Sequence, residues 1–119
     1  MKSDIPQRTF EFAKRIVKLC LFLEGQQGVS RILVNQILRS GTSIGANVEE
    51  GVASQSDADF ISKYSIACKE ARETHYWLRL ISETNVVPAE RLTEITDEYG
   101  QLIAILTTII KKMKEKANG

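Results

Sequence analysis

The segment from Arg39 to Gly51, Arg-Ser-Gly-Thr-Ser-Ile-Gly-Ala-Asn-Val-Glu-Glu-Gly, sets two glycines four residues apart inside a helical pattern. Leu33, Ile37, Ile44 and Val48 recur through it at helical spacing. Glycine inside a helix costs roughly 1 kcal/mol relative to alanine, so the pair calls for a packing reason. Residues four apart share one helix face. Gly41 and Gly45 leave that face bare, and a neighbouring backbone can come close. The segment reads as a tightly packed helical seam rather than a loop.

Around this seam the apolar periodicity predicts four helices. The first runs from about 6 to 24, with Ser3 or Asp4 as its cap and Pro6 in its first turn, and ends at Gly25 to Gly28. The second runs from about 30 to 52 and starts at Ser30. The third runs from about 57 to 84 behind Ser56-Asp57-Ala58-Asp59, which resembles a capping box with Asp in place of the usual Glu. Its stripe is Phe60, Tyr64, Ala67, Ala71, Leu78 and Ile81. The fourth runs from about 88 to 116 and carries Leu92, Ile95, Tyr99, Leu102, Leu106, Ile109 and Met113. Links of about five residues make neighbouring helices antiparallel. The expected architecture is all-α: one domain over residues 1–119, folded as an antiparallel up-down-up-down four-helix bundle.

Several function classes are disfavoured. Di-metal bundles use Glu-x-x-His pairs, but the single histidine, His75, has Arg72 three residues before it. No phosphate-binding glycine loop, dinucleotide fingerprint or nucleophile elbow is present. An enzyme, a cofactor and a metal site are therefore not expected. Cys20 and Cys68 read as buried free thiols of a reducing compartment rather than a disulfide. Residues 1–10 lack the apolar run of a signal peptide, and residues 102–110 are too few to span a bilayer. A cytoplasmic protein without a membrane partner is the expectation.

Net charge is only +1, yet its distribution is uneven. Residues 1–48 hold seven basic and three acidic side chains, residues 49–110 five and eleven, and residues 111–119 four and one. Arg8, Lys14, Arg15 and Lys18 share the polar arc of the first helix, and Lys111, Lys112, Lys114 and Lys116 crowd the C-terminus. These eight are candidate phosphate contacts, which a ring of identical subunits would multiply. No aromatic residue interleaves them to stack bases, so sequence reading of a single strand is not expected, and recognition of shape and phosphate in structured RNA is the better expectation. Solvated charged surface is the competing reading.

Two helices carry more apolar residues than a bundle face needs. The first spreads them over about 200°, where roughly 100° suffices. On the third, Ile66, Trp77 and Leu80 lie on the flank of the core stripe beside Glu70 and Glu73. A self-association surface follows, with Phe12, Leu19, Ile66, Trp77 and Leu80 as its candidates. Along the second helix Arg39, Ser43, Asn47 and Glu50 form a polar line that reads as an architectural network.

The run Gln36 to Gly51, with Asp59-Phe60, Ile66-Ala67, Lys69-Glu70-Ala71 and Glu73-Thr74, resembles the small bacterial family of proteins encoded in intervening sequences of 23S ribosomal RNA genes. The similarity covers about residues 6–113. It implies a four-helix bundle assembled as a homopentameric ring. For most members the gene location implies association with ribosomal RNA or the ribosome, and the family includes the accessory protein of diversity-generating retroelements, which implies nucleic-acid binding and, as one partner, a reverse transcriptase. It supplies no catalytic residues. Its motif positions here, Arg39, Gly41, Ser43, Gly45, Asn47, Glu50 and Gly51, are architectural. The alternative is a protein-interaction or assembly module without nucleic acid.

Overall fold

The computed structural model describes residues 4–84 and 87–119. It contains α1 (Ile5–Glu24), α2 (Arg31–Val52), α3 (Asp57–Glu83) and α4 (Ala89–Asn118). Ser30 Oγ accepts the Leu33 amide at 3.3 Å and Ser56 Oγ accepts the Asp59 amide at 3.1 Å, so both serines cap as the sequence predicts. At α1 the expectation fails in part. Asp4 stands at the cap position without a side-chain bond to the helix, and Ser3 lies outside the described residues. Pro6 has no amide to satisfy, which lessens the need for a cap there. Gly28 turns the α1–α2 link with a φ of +83°, a left-handed conformation that glycine adopts without a Cβ clash.

Each helix touches its two sequence neighbours around the bundle, with α4 returning to α1. Neither diagonal pair, α1 with α3 or α2 with α4, comes within 8 Å, Cα to Cα. The up-down-up-down order is therefore realised as a square, drawn out to 53 Å along its axis and about 20 Å across. The interior is aliphatic, with Phe12, Ile16, Ile37, Ile44, Leu78 and Leu106 fully enclosed.

The seam explains why α2 is the most closely held helix. A Cβ built on Gly45 would meet the Thr9 carbonyl oxygen at 3.2 Å, and one on Gly41 would meet Ile16 Cγ1 at 2.7 Å. On the other side, a Cβ on Gly51 would strike the Tyr64 ring at 2.6 Å. Gly41 and Gly45 thus admit α1, and Gly51 admits α3. The buried polar groups follow the same seams. Thr9 donates to the Ile5 carbonyl at 2.9 Å, and Ser40 donates to the Gln36 carbonyl at 2.7 Å. Cys20 and Cys68 are free and buried. Burial, then the Glu24 carboxylate, pushes the Cys20 thiol up to about 11, which makes it a poor nucleophile.

The α1–α4 seam is the loosest of the four and has no glycine counterpart. Ion pairs lie across it instead, with Arg8 to Glu98 and Arg15 to Glu94 both at 3.1 Å. Near its top the Arg91 guanidinium lies 3.7 Å from the Phe22 ring centroid.

Candidate functional site

Two surfaces carry the chemistry foreseen from sequence, and the structure redistributes both. The basic residues of α1 are largely neutralised. Arg8 donates to Glu98 at 3.1 Å and to Gln101 at 2.7 Å, Arg15 pairs with Glu94, and Lys14 pairs with Glu11 at 3.3 Å. Lys18 alone of the four has no carboxylate partner among the described residues. The acids responsible come from α1 and α4. The segmental charge count shows an uneven distribution; it cannot show that basic and acidic side chains interlock residue by residue.

The lysines of α4 differ. Lys111, Lys112 and Lys114 are exposed and have no carboxylate partner among the described residues, while Lys116 reaches Asp57 at a long 3.9 Å. Lys111 and Lys114 line a groove of about 770 Å³ between α3 and α4. From α3 that groove takes Ser65, Cys68 and Arg72. Arg15 and Lys18 line a different depression between α1 and α4, with Arg91 and Glu94. The two expected basic clusters therefore lie on opposite flanks of α4 and do not merge. Arg72 was missed as a site residue because its place on the α4 side of α3 depends on which helix packs there. Its position four residues after Cys68, on the same face, was the available signal.

The polar line on α2 ties α2 to α3. Arg39 forms ion pairs with Glu70 at 3.0 Å and with Glu73, and its Nη2 also donates to Gln36 at 3.2 Å. Lys63 of α3 meets Glu50 at 3.0 Å. Ser43 donates to the Arg39 carbonyl at 2.6 Å and Asn47 to the Ser43 carbonyl at 2.8 Å, both within their own helix. The four residues thus act on α2 and its contact with α3.

The apolar candidates require a correction. Phe12 and Leu19 are buried in the chain's own core, so neither is free to meet another molecule. Both occupy the centre of the α1 core face, at i and i+7. The exposed apolar stripe of α1 is Phe10, Val17 and Leu21, which are 51%, 40% and 65% exposed. On α3, Ile66 and Leu80 are exposed as expected, joined by Tyr76. Trp77 is half-buried against the core, its ring edge-on to Tyr76 at 5.1 Å between centroids. The Trp77 indole N–H is enclosed and has no acceptor among the described residues.

His75 stacks on Tyr99 of α4, with ring centroids 4.4 Å apart and planes parallel within 1°. Burial, then the Arg79 charge, lowers its pKa below 6.5. Among the described residues no three His, Cys, Asp or Glu side chains gather as a metal site would require, and no helix is long and apolar enough to cross a membrane.

Residues 1–108 match the family described as 23S rRNA-intervening sequence protein. The chain is also similar to a crystal structure from Bacteroides thetaiotaomicron, a protein of unknown function from the S23 ribosomal protein family. The two are 45% identical with a TM-score of 0.85, and the alignment covers 90% of this chain and 98% of that one. No curated protein matches the chain.

Proposed function

The chain belongs to the 23S rRNA-intervening sequence protein family, and from that membership we propose that it is a non-enzymatic cytoplasmic bundle that assembles with copies of itself and binds structured RNA or a ribonucleoprotein through phosphate contacts. The observation that carries the RNA reading is the unpaired cation set on α4. Lys111, Lys112 and Lys114 have no carboxylate partner among the described residues, whereas Arg8, Lys14 and Arg15 of α1 already have theirs. A charge held by an internal partner gains less from a phosphate than a solvated one. The α4 end is therefore the favoured contact, and assembly would repeat it once per subunit.

The test is an anisotropy titration of a labelled ribosomal RNA hairpin at low and at physiological salt. Binding that weakens steeply with salt, and whose slope falls by roughly 0.7–0.9 for each lysine removed, supports phosphate recognition. Replacing Lys111, Lys112 and Lys114 together with Gln should abolish most of it. No binding at low salt by the folded protein would overturn the RNA reading.

A second reading, assembly without nucleic acid, is favoured by the two exposed apolar stripes on α1 and α3. They lie on diagonally opposed helices whose Cα atoms stay more than 8 Å apart. A contact between unlike surfaces of identical subunits propagates head to tail, and closes into a ring where the rotation allows. This arrangement supports the ring that the family resemblance implies.

A further inference from the structure

The groove between α3 and α4 has a composition that neither the family match nor the C-terminal lysines by themselves explain. Lysines in the last turns of a helix offset its macrodipole, which accounts for a cluster at residues 111–116. It does not account for Arg72, which lies in the interior of α3 and opens onto the same groove. Arg72, Lys111 and Lys114 have no carboxylate partner among the described residues, and Glu115 is the single acidic side chain in the groove lining. The floor is apolar, formed by the buried Cys68 and Ile110. Thr107 spends its hydroxyl proton on carbonyls of its own helix, while the Ser65 hydroxyl makes no hydrogen bond among the described residues.

Three unpaired cations at the rim and a greasy floor suit an occupant with an anionic edge and a flat or apolar body. A strand of unpaired nucleotides has both: phosphates along one side, ribose and base faces along the other. At about 770 Å³ the groove is at the larger end of ligand-site volumes, and its open side suits a chain passing through rather than a small molecule enclosed. We infer that the α3–α4 groove is a track for an unpaired RNA strand, with Arg72, Lys111 and Lys114 on successive phosphates and Cys68 and Ile110 beneath a sugar or base. Ser65 is placed to bond a 2′-hydroxyl. The groove contains no aromatic ring to stack a base, so the contact rests on the phosphates, which carry no sequence information. It leaves the exposed stripe of α3 free, because Ile66, Tyr76 and Leu80 do not line it.

This inference rests on the RNA reading above, and the experiment separates the two. A fluorescein-labelled RNA hairpin with an unpaired loop is titrated against the full chain and against Arg72→Gln, Arg72→Gln/Lys114→Gln and, as a charge-matched control, Arg31→Gln on α2. Arg72 and Lys114 are exposed, so the fold should survive, and thermal melting checks that. The double variant should bind about tenfold or more weakly at physiological salt, with its salt slope reduced by roughly 1.4–1.8 for two lost phosphate contacts. Arg31→Gln should stay within about twofold, as expected for a weak non-contacting charge. Ser65→Glu, which puts a negative charge in the groove, should weaken binding far more than Ala46→Glu on exposed α2. Wild-type binding left unchanged by the Arg72 and Lys114 variants would overturn the groove while sparing the RNA reading. Absence of wild-type binding at low salt would overturn both.

Discussion

Thr74 of α3 and Ser40 of α2 place their hydroxyl oxygens 2.9 Å apart in a fully buried contact between the helices. The Ser40 proton goes to the Gln36 carbonyl at 2.7 Å, which leaves Ser40 Oγ as an acceptor for Thr74. Thr74 can alternatively donate to the Glu70 carbonyl at 2.8 Å. Thr74→Val keeps the branched shape and removes the donor, and should cost about 1 kcal/mol in urea unfolding. Ser40→Ala should cost a similar amount. The double variant should lose less than the sum, since either single change removes the same Thr74-to-Ser40 bond. Strict additivity would mean that the pair is adjacent without being coupled.

Two of the helix-interior glycines, Gly41 and Gly100, should respond to alanine with opposite signs. A Cβ on Gly100 of α4 meets nothing within 4 Å, so Gly100→Ala gains helix propensity alone and should stabilise by about 0.5–1 kcal/mol. On Gly41 the same methyl would lie 2.7 and 2.8 Å from Ile16 Cγ1 and Cγ2. Those atoms sit next to the Ile16 Cβ and cannot swing away, so overpacking of roughly 1–3 kcal/mol outweighs the propensity gain. In an Ile16→Ala background the penalty at Gly41 should vanish. Thermal or urea unfolding of the four proteins decides it; a Gly41→Ala protein as stable as wild type would mean that α1 is not held against α2 as closely as described.

The contrast between these glycines marks where sequence reasoning succeeds and stops. Gly41 and Gly45 are legible because they are four apart on a helix whose other apolar residues define the same face. Helix number, type and limits are legible for the same reason, since periodicity and caps are local. Phe12 and Leu19 read as interface residues because a broad apolar arc shows a surplus without showing which part of it the bundle consumes. The bundle takes the centre, and Phe10, Val17 and Leu21 remain outside. One physical cause hides Arg72 from a sequence reading and makes Arg8 and Arg15 read as unpaired phosphate contacts. Whether a charge is free depends on what the adjacent helix brings to it, and that is set by packing order and register.

Folding stability should fall with pH through the histidine range because of His75. Its folded-state pKa lies below the ordinary 6.5, through burial and then Arg79. Below pH 6.5 the unfolded chain therefore binds a proton that the folded chain resists. Stability is full above that value, declines as pH falls, and the loss is complete below the folded-state pKa. His75→Phe keeps a ring to stack on Tyr99 and cannot titrate. The stability difference between wild type and variant should be flat above about pH 7.5 and shift steadily in favour of the variant between roughly pH 7 and 5. Parallel pH profiles would show that the imidazole is as free to charge in the bundle as in the unfolded chain.

Assembly should depend on the exposed stripes rather than on the residues at the centre of the core. Leu21 of α1 and Leu80 of α3 are both open to solvent, so a charge at either costs the isolated bundle little. Buried in a contact with another copy, the same charge would be unpaired and strongly disruptive. Leu21→Glu and Leu80→Glu, made separately, should each remain helical with nearly wild-type melting at high dilution, and each should sediment as monomer where wild type does not. Because the two stripes are unlike, a head-to-tail contact makes a further demand. Mixing the two variants should restore one wild-type contact per pair and yield dimers, but nothing larger. A mixture that stays monomeric would assign the contact to a single self-complementary surface, and wild type sedimenting as monomer at micromolar concentration would remove the assembly reading altogether.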